Sequence, residues 1–260
     1  MPQATESCVH LPPPGHDVIG PDRFRQPGLV AVESIGPGMP VQRVGPVFMV
    51  HDSTFEPGCG IGHHPHRGME RLFYILEGAV AHDDAQNGIT GHMGTGDLGI
   101  LTEGRQGMLH SERNAAQGRT RCWILVYPCE PLVEHAAFDA IRADAMRVTE
   151  GQVAGGSRRT THVVEPGDSR LHGDIRLFGD TTLDEGGEFE FALNADETGL
   201  LFVVDGDVAM VRAHDEVVLS PTHTVAWGTA DHGREVMLRA LRPARLLHVV
   251  MGPGDGLVRR

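Results

Sequence analysis

Residues 73–81, FYILEGAVA, and residues 201–209, LFVVDGDVA, carry one pattern: an apolar run, an acidic residue followed by glycine, and a second strand led by valine. An apolar run closed by an acidic-Gly pair is a hairpin signal, and its recurrence far along the chain marks a duplicated β unit. From about residue 45 onward the surrounding sequence has the same character, with short apolar runs (PVFMV, RLFYIL, DLGILT, RCWILVY) separated by Gly, Asp and Asn clusters. Runs this short and this often interrupted predict an all-β sandwich or barrel with little helix. Two similar β-barrels in tandem is the economical reading, and 260 residues are enough for each to bury its own core.

The expected organisation follows. Residues 1–44 form an N-terminal arm and the first strands, with LPPPG keeping the first ~30 residues extended or partly disordered. Residues 45–130 form the first barrel and 151–260 the second. Between them, 131–150 is a linker whose LVEHAAFDAIRADAM segment is alanine-rich and free of Gly and Pro, which predicts one short helix.

Hydrophobic residues at 40% and charged ones at 22% fit a folded globular chain. All 22 basic residues are arginine and stand against 35 acidic ones, for a net charge of −13. Without a basic cluster interleaved with aromatics, this balance disfavours direct nucleic-acid binding. No apolar stretch is long enough to span a membrane, and the N-terminal residues lack the basic and apolar regions of a leader, so a cytoplasmic protein is expected. Cys8, Cys59, Cys122 and Cys129 are scattered without a CxxC pair, which indicates neither a disulfide framework nor a thiolate zinc site.

Chemistry concentrates in GHHPHRGMERLFYILEG, residues 62–78. In a strand, residues two apart share a face, so His64 and His66 project together while His63 and Pro65 face the other way. Downstream, MLHSERN offers His110 and Glu112 at the same spacing. Three imidazoles and one carboxylate suit a divalent first-row metal and leave two positions open for water or substrate when the ion is six-coordinate. Registering the repeats on Gly78 and Gly206 places Ala192 and Asn194 where the first copy has His64 and His66, so the fold itself does not require these histidines. His63 faces away, Arg67 and Glu70 are candidates to orient ligands or to pair at the barrel mouth, and His82, His92 and His223 have no partner at ligand spacing. Phe73, Met108 and Trp123 are candidates to line a pocket, but apolar strand residues are more often core.

HPHRGMERLFYILEG followed by GDLGILTEGRQGMLHSE resembles the pirin family of the cupin superfamily, strongly over about residues 45–130 and in pattern alone beyond. The approach segment EPGCGIGHHPHRGME is similar to the corresponding loop of bacterial pirin-like proteins. The resemblance implies two tandem cupin barrels with one divalent metal per chain, usually iron, in the N-terminal barrel, on His64, His66, His110 and Glu112; the same ligands accept nickel, copper, manganese or zinc. Two positions depart from pattern. The general cupin motif carries a ligand glutamate five residues after its second histidine, where this chain has Arg71, and the loop before His110 is one residue longer, at Gln106.

The implied activity is that of a quercetinase-like dioxygenase. A flavonol or related enolic or phenolic substrate would bind the metal, Glu112 would take its hydroxyl proton, and dioxygen would open the ring with loss of carbon monoxide. The alternatives are a non-enzymatic iron-binding regulator that responds to redox state and binds a protein partner, and another cupin chemistry such as an isomerase. A substrate-sized cavity over the ligands separates the enzyme from the regulator.

Overall fold

The computed structural model describes residues 8–153, 155–211 and 216–260. Its regular structure is almost entirely strand, and Pro21–Phe24 is the one α-helix among the described residues. The repeated motif folds into matching hairpins: Met69–Glu77 turns through Gly78 into Ala79–Asp84, and Thr198–Asp205 turns through Gly206 into Val208–Val211. Both glycines are left-handed, at φ 81° and 77°. Each also lies flat against a neighbouring strand. A Cβ on Gly78 would fall 2.9 Å from Thr120 Cα, and one on Gly206 2.6 Å from Ala244 Cα. Thr120 and Ala244 open the strands Thr120–Pro128 and Ala244–Met251, which pair with the first strand of each hairpin. The sequence repeat is therefore a repeat in space.

Each half contributes a seven-stranded and a four-stranded sheet, and a two-stranded ribbon completes the pairing. Period-two alternation assigns the faces. Along Met69–Glu77, Leu72, Tyr74 and Leu76 enter a core shared with Phe178, Phe202 and Leu247 of the other half, whereas Phe73 and Ile75 enter a separate core with Val80 and Met93. Phe189, Phe191, Trp227 and Leu238 belong to a third core, inside the second half. The two large sheets thus lie back to back, each covered on its outer face by a small one. Trp123 packs at the seam, 5.6 Å from both Phe178 and Phe202.

Two segments differ from expectation. The alanine-rich stretch is strand Ala137–Ile141, followed by a 3-10 turn at Ala143–Ala145. It pairs antiparallel with Leu98–Thr102 and so extends the first half's large sheet. Alanine's helix preference is weak against backbone partners on an open sheet edge, and alternation here stacks Phe138 on the His82 ring at 5.3 Å while Ile141 enters the core. In the N-terminal arm, Cys8–Leu11 is a strand that pairs with Thr224–Trp227 of the second half, while Leu257–Arg259 pairs with Val41–Val44. The expected arm's residues 1–7 lie outside the described residues.

Candidate metal centre

The strands Gly60–His66 and Met108–Asn114 are antiparallel neighbours, with His110 opposite His64 and Met108 opposite His66. Gln106 does not disturb that register, because its loop is pinned by the Arg105 N–H to Val133 O and the Gln106 N–H to Glu134 O, at 2.8 and 3.1 Å. Gly107, at φ 79°, then passes so close to the neighbouring strand that a Cβ would sit 2.6 Å from His66 O. The His64 ring lies 4.8 Å from His66 and 4.5 Å from His110, and His66 and His110 are 5.3 Å apart. One ligand atom from each of the three lies within 4.8 Å of the others.

The ring nitrogens are prepared for a Lewis acid. His64 Nδ1 is 2.8 Å from Gly62 O, which fixes the tautomer with Nε2 unprotonated and free to coordinate. Burial lowers the pKa of His64, and burial followed by the charge of Arg71 lowers that of His66 to about 3. Both are therefore neutral near pH 7, the form that binds metal. His110 is buried, with Nδ1 2.7 Å from Glu112 Oε1 and Nε2 without a hydrogen-bond partner among the described residues. A buried imidazole with an unpartnered nitrogen, grouped with two other imidazoles, fits a metal ion.

Glu112 stands one turn of the pleat from His110, across a bulge, and opposite His82 on Ala79–Asp84. His82 Nδ1 is 3.3 Å from Glu112 Oε1, and His82, His110 and Glu112 form a second group with ligand atoms within 4.8 Å of one another. Burial pushes the Glu112 carboxyl up, but the imidazoles of His110 and His82 outweigh it and hold the pKa below the usual carboxylate range. His82 is thus a partner of the site and not the isolated histidine its sequence neighbours suggest; cross-strand register joins it to Glu112, and no local spacing reveals that. His223 also has company, its Nδ1 being 2.9 Å from His10 Nε2. His63 faces outward to Asp83 at 2.7 Å, His92 is exposed, and so is Arg67.

Glu70 has a different role from the ligand support considered above. Gly68, at φ 76°, ends one sheet and lets the next strand begin in another, so Glu70 turns toward the seam between halves. There it is fully buried and accepts from the Tyr127 hydroxyl (2.7 Å), the Thr102 hydroxyl (2.6 Å) and the His172 N–H (2.8 Å), with His172 Nδ1 at 3.0 Å. Met69, Arg71 and Phe73, on the opposite face of the same strand, line a cavity of about 300 Å³ into which His64, His66, His110 and Glu112 also project. Phe24, Phe48, Phe55 and Ile124 make its walls largely apolar. Met108 is buried in the strand opposite His66, and Trp123 belongs to the seam.

A pair of barrel-like sheet sandwiches, with a histidine-rich strand pair opening on an apolar cavity in the first, is the architecture of a tandem cupin fold. The sequence model of the pirin family, Pirin, matches residues 25–125. Pirin-1 of Arabidopsis thaliana is 27% identical over 196 residues, which cover 72% of this chain and 64% of that protein. Among solved structures, the Escherichia coli bacterial pirin YhhW in complex with nickel(II) has a TM-score of 0.72 at 20% identity, over 95% of this chain and 99% of that one. A quercetin 2,3-dioxygenase from Acinetobacter baumannii has a TM-score of 0.75 at 19% identity, over 94% and 86%. These two likenesses establish the shared fold.

Proposed function

We propose that this chain is a metal-dependent dioxygenase of the quercetinase type, acting on a flavonol or a related enolic or phenolic substrate. The observation that carries the proposal is the convergence of His64, His66, His110 and Glu112 on the wall of one apolar cavity. These four side chains would hold a single divalent ion, iron in the first instance, which supplies a Lewis acid and a template for substrate. Glu112, ionised and backed by His82, accepts the proton of the substrate hydroxyl, either from within the ligand set or after leaving it. Phe48, Phe55 and Phe73 pack the substrate ring and exclude water.

A regulator that signals the redox state of iron to a protein partner would keep the same ligands. It has no use for a ligand-sized apolar cavity above them, and the one seen here falls at the lower end of the usual range for small-molecule sites. The test is metal content together with dioxygen uptake. Protein purified without chelators should carry about one metal per chain, and the iron-loaded form should consume dioxygen when given a flavonol or a small catechol. If iron, nickel, copper and manganese forms all leave the substrates and dioxygen untouched, the regulator reading replaces this one.

A further inference from the structure

Arg71 stands where the general cupin motif has a metal-binding glutamate, so this chain presents a cation at that place. Its strand face is fixed by the alternation that sends Met69 and Phe73 to the same cavity. The guanidinium is nearly enclosed, with 11% of its side chain exposed, and Nε donates to Glu103 Oε1 at 2.8 Å. Glu103 is itself fully buried and accepts the Met69 N–H at 3.0 Å, so the arginine is held from behind by an immobile carboxylate. A guanidinium held through Nε keeps its terminal nitrogens for a second, forked acceptor. Among the described residues no side chain accepts from them.

Glu103 answers one edge of the guanidinium, and among the described residues no other carboxylate near the cavity is free to answer the terminal nitrogens. Glu33, behind the cavity-lining His51, is 2.7 Å from His51 Nε2, and Glu112 is engaged by His82 and His110. Each nearby carboxylate has its own partner, and the remaining wall is largely apolar, where an unanswered forked donor is costly and a matching anion is bound strongly. The geometry points to Arg71 as the specificity-determining residue of the site: it receives the carboxylate of a compact enol or phenol acid whose hydroxyl is directed to the His64, His66 and His110 cluster. A cavity of about 300 Å³ suits a single substituted ring of this kind. This inference rests on the proposed function for the role of the cluster, but the anion site is tested by binding and does not require turnover.

The probes are salicylate and methyl salicylate, which share a ring and a phenol and differ in charge. Affinities are measured by calorimetry on iron(II)-loaded full-length protein under argon, so that no reaction occurs. Wild type should bind the acid at least about 10-fold more tightly than the ester. Because Arg71→Met alone would strand the buried Glu103 carboxylate, the main variant is Arg71→Met with Glu103→Gln. It should bind acid and ester within about 3-fold of each other, and Arg71→Lys, which keeps the charge but loses the fork, should restore part of the preference. Equal binding of acid and ester by wild type, no salicylate binding at all, or a preference that survives in the double variant would overturn the inference. Failure of the dioxygenase reading appears separately, as Arg71-dependent salicylate binding with no dioxygen uptake on any substrate.

Discussion

Two glutamates of this chain sit in opposite settings, and their residue types alone do not tell them apart. Glu112 faces three imidazoles and the cavity, whereas Glu70 faces tyrosine, threonine and histidine donors at the seam. Glu112→Gln keeps the size and removes the charge and basicity, so metal content should fall, or flavonol-dependent dioxygen uptake should drop by about 10²-fold or more. Glu70→Gln puts an amide NH₂ against groups that already donate, and should cost about 1–3 kcal/mol of stability while leaving the metal in place. Metal analysis and urea unfolding of the two variants side by side check both expectations; a metal-free Glu70→Gln beside an unaltered Glu112→Gln would reverse the assignment. His64, His66, His110 and Glu112 could be read in the sequence because side chains two apart on a strand share a face, a strictly local rule. The Glu70 setting could not, because Gly68 breaks the parity between two sheets, and the His82–Glu112 pairing depends on register between strands that have two others between them in the chain.

At the scale of elements, the two matching hairpins turn on glycines that meet two demands at once, a left-handed backbone and contact with the neighbouring strand. Gly78→Ala would bring a methyl group within 2.9 Å of Thr120 Cα at φ 81°. Strand Thr120–Pro128 cannot recede, because it is paired on both sides, with Met69–Glu77 and with Met49–Phe55. We expect a loss of about 2–4 kcal/mol, read as a lower urea midpoint. A change smaller than ~0.5 kcal/mol, the usual scatter of surface substitutions, would show that the hairpin has more room than the geometry allows. The strands and their turns were legible because alternation and Asp/Glu-Gly signals are local. Strand Ala137–Ile141 was not, since its composition favours helix and its fate is decided by the free edge of Leu98–Thr102 and the space above Gly91, where a Cβ would lie 2.4 Å from the Phe138 ring.

Across the whole molecule the halves share one core, exchange strands at both termini, and are also joined by the Tyr74 hydroxyl, which donates to Asp180 Oδ2 at 2.6 Å while Arg245 holds the same carboxylate. Stability should therefore respond to pH as a property of the entire chain. A useful probe lies far from the candidate metal centre, at His248 in the second half. Its ring is buried 4.7 Å from Phe189, Nε2 is 3.1 Å from Thr181 Oγ1, and Nδ1 has no partner. Burial lowers its pKa to about 3 from an ordinary 6.5. Between those two values the unfolded chain takes up a proton that the folded chain refuses, so the contribution of His248 to stability is present above pH 6.5 and is lost as pH falls toward 3. The slope approaches ~1.4 kcal/mol per pH unit for one proton. His248→Phe, which suits the aromatic surroundings, removes that proton while Thr181 keeps Thr160 as a partner at 2.8 Å. The stability difference between variant and wild type should then shift in the variant's favour by about 1–2 kcal/mol between pH 7 and pH 5. Other histidines with lowered pKa values, such as His16 and His162, are common to both proteins and cancel in that difference. Urea unfolding at the two pH values supplies the measurement. A difference that does not change with pH would mean that His248 is protonated in the folded state, and so that the second half admits water or an anion to Nδ1.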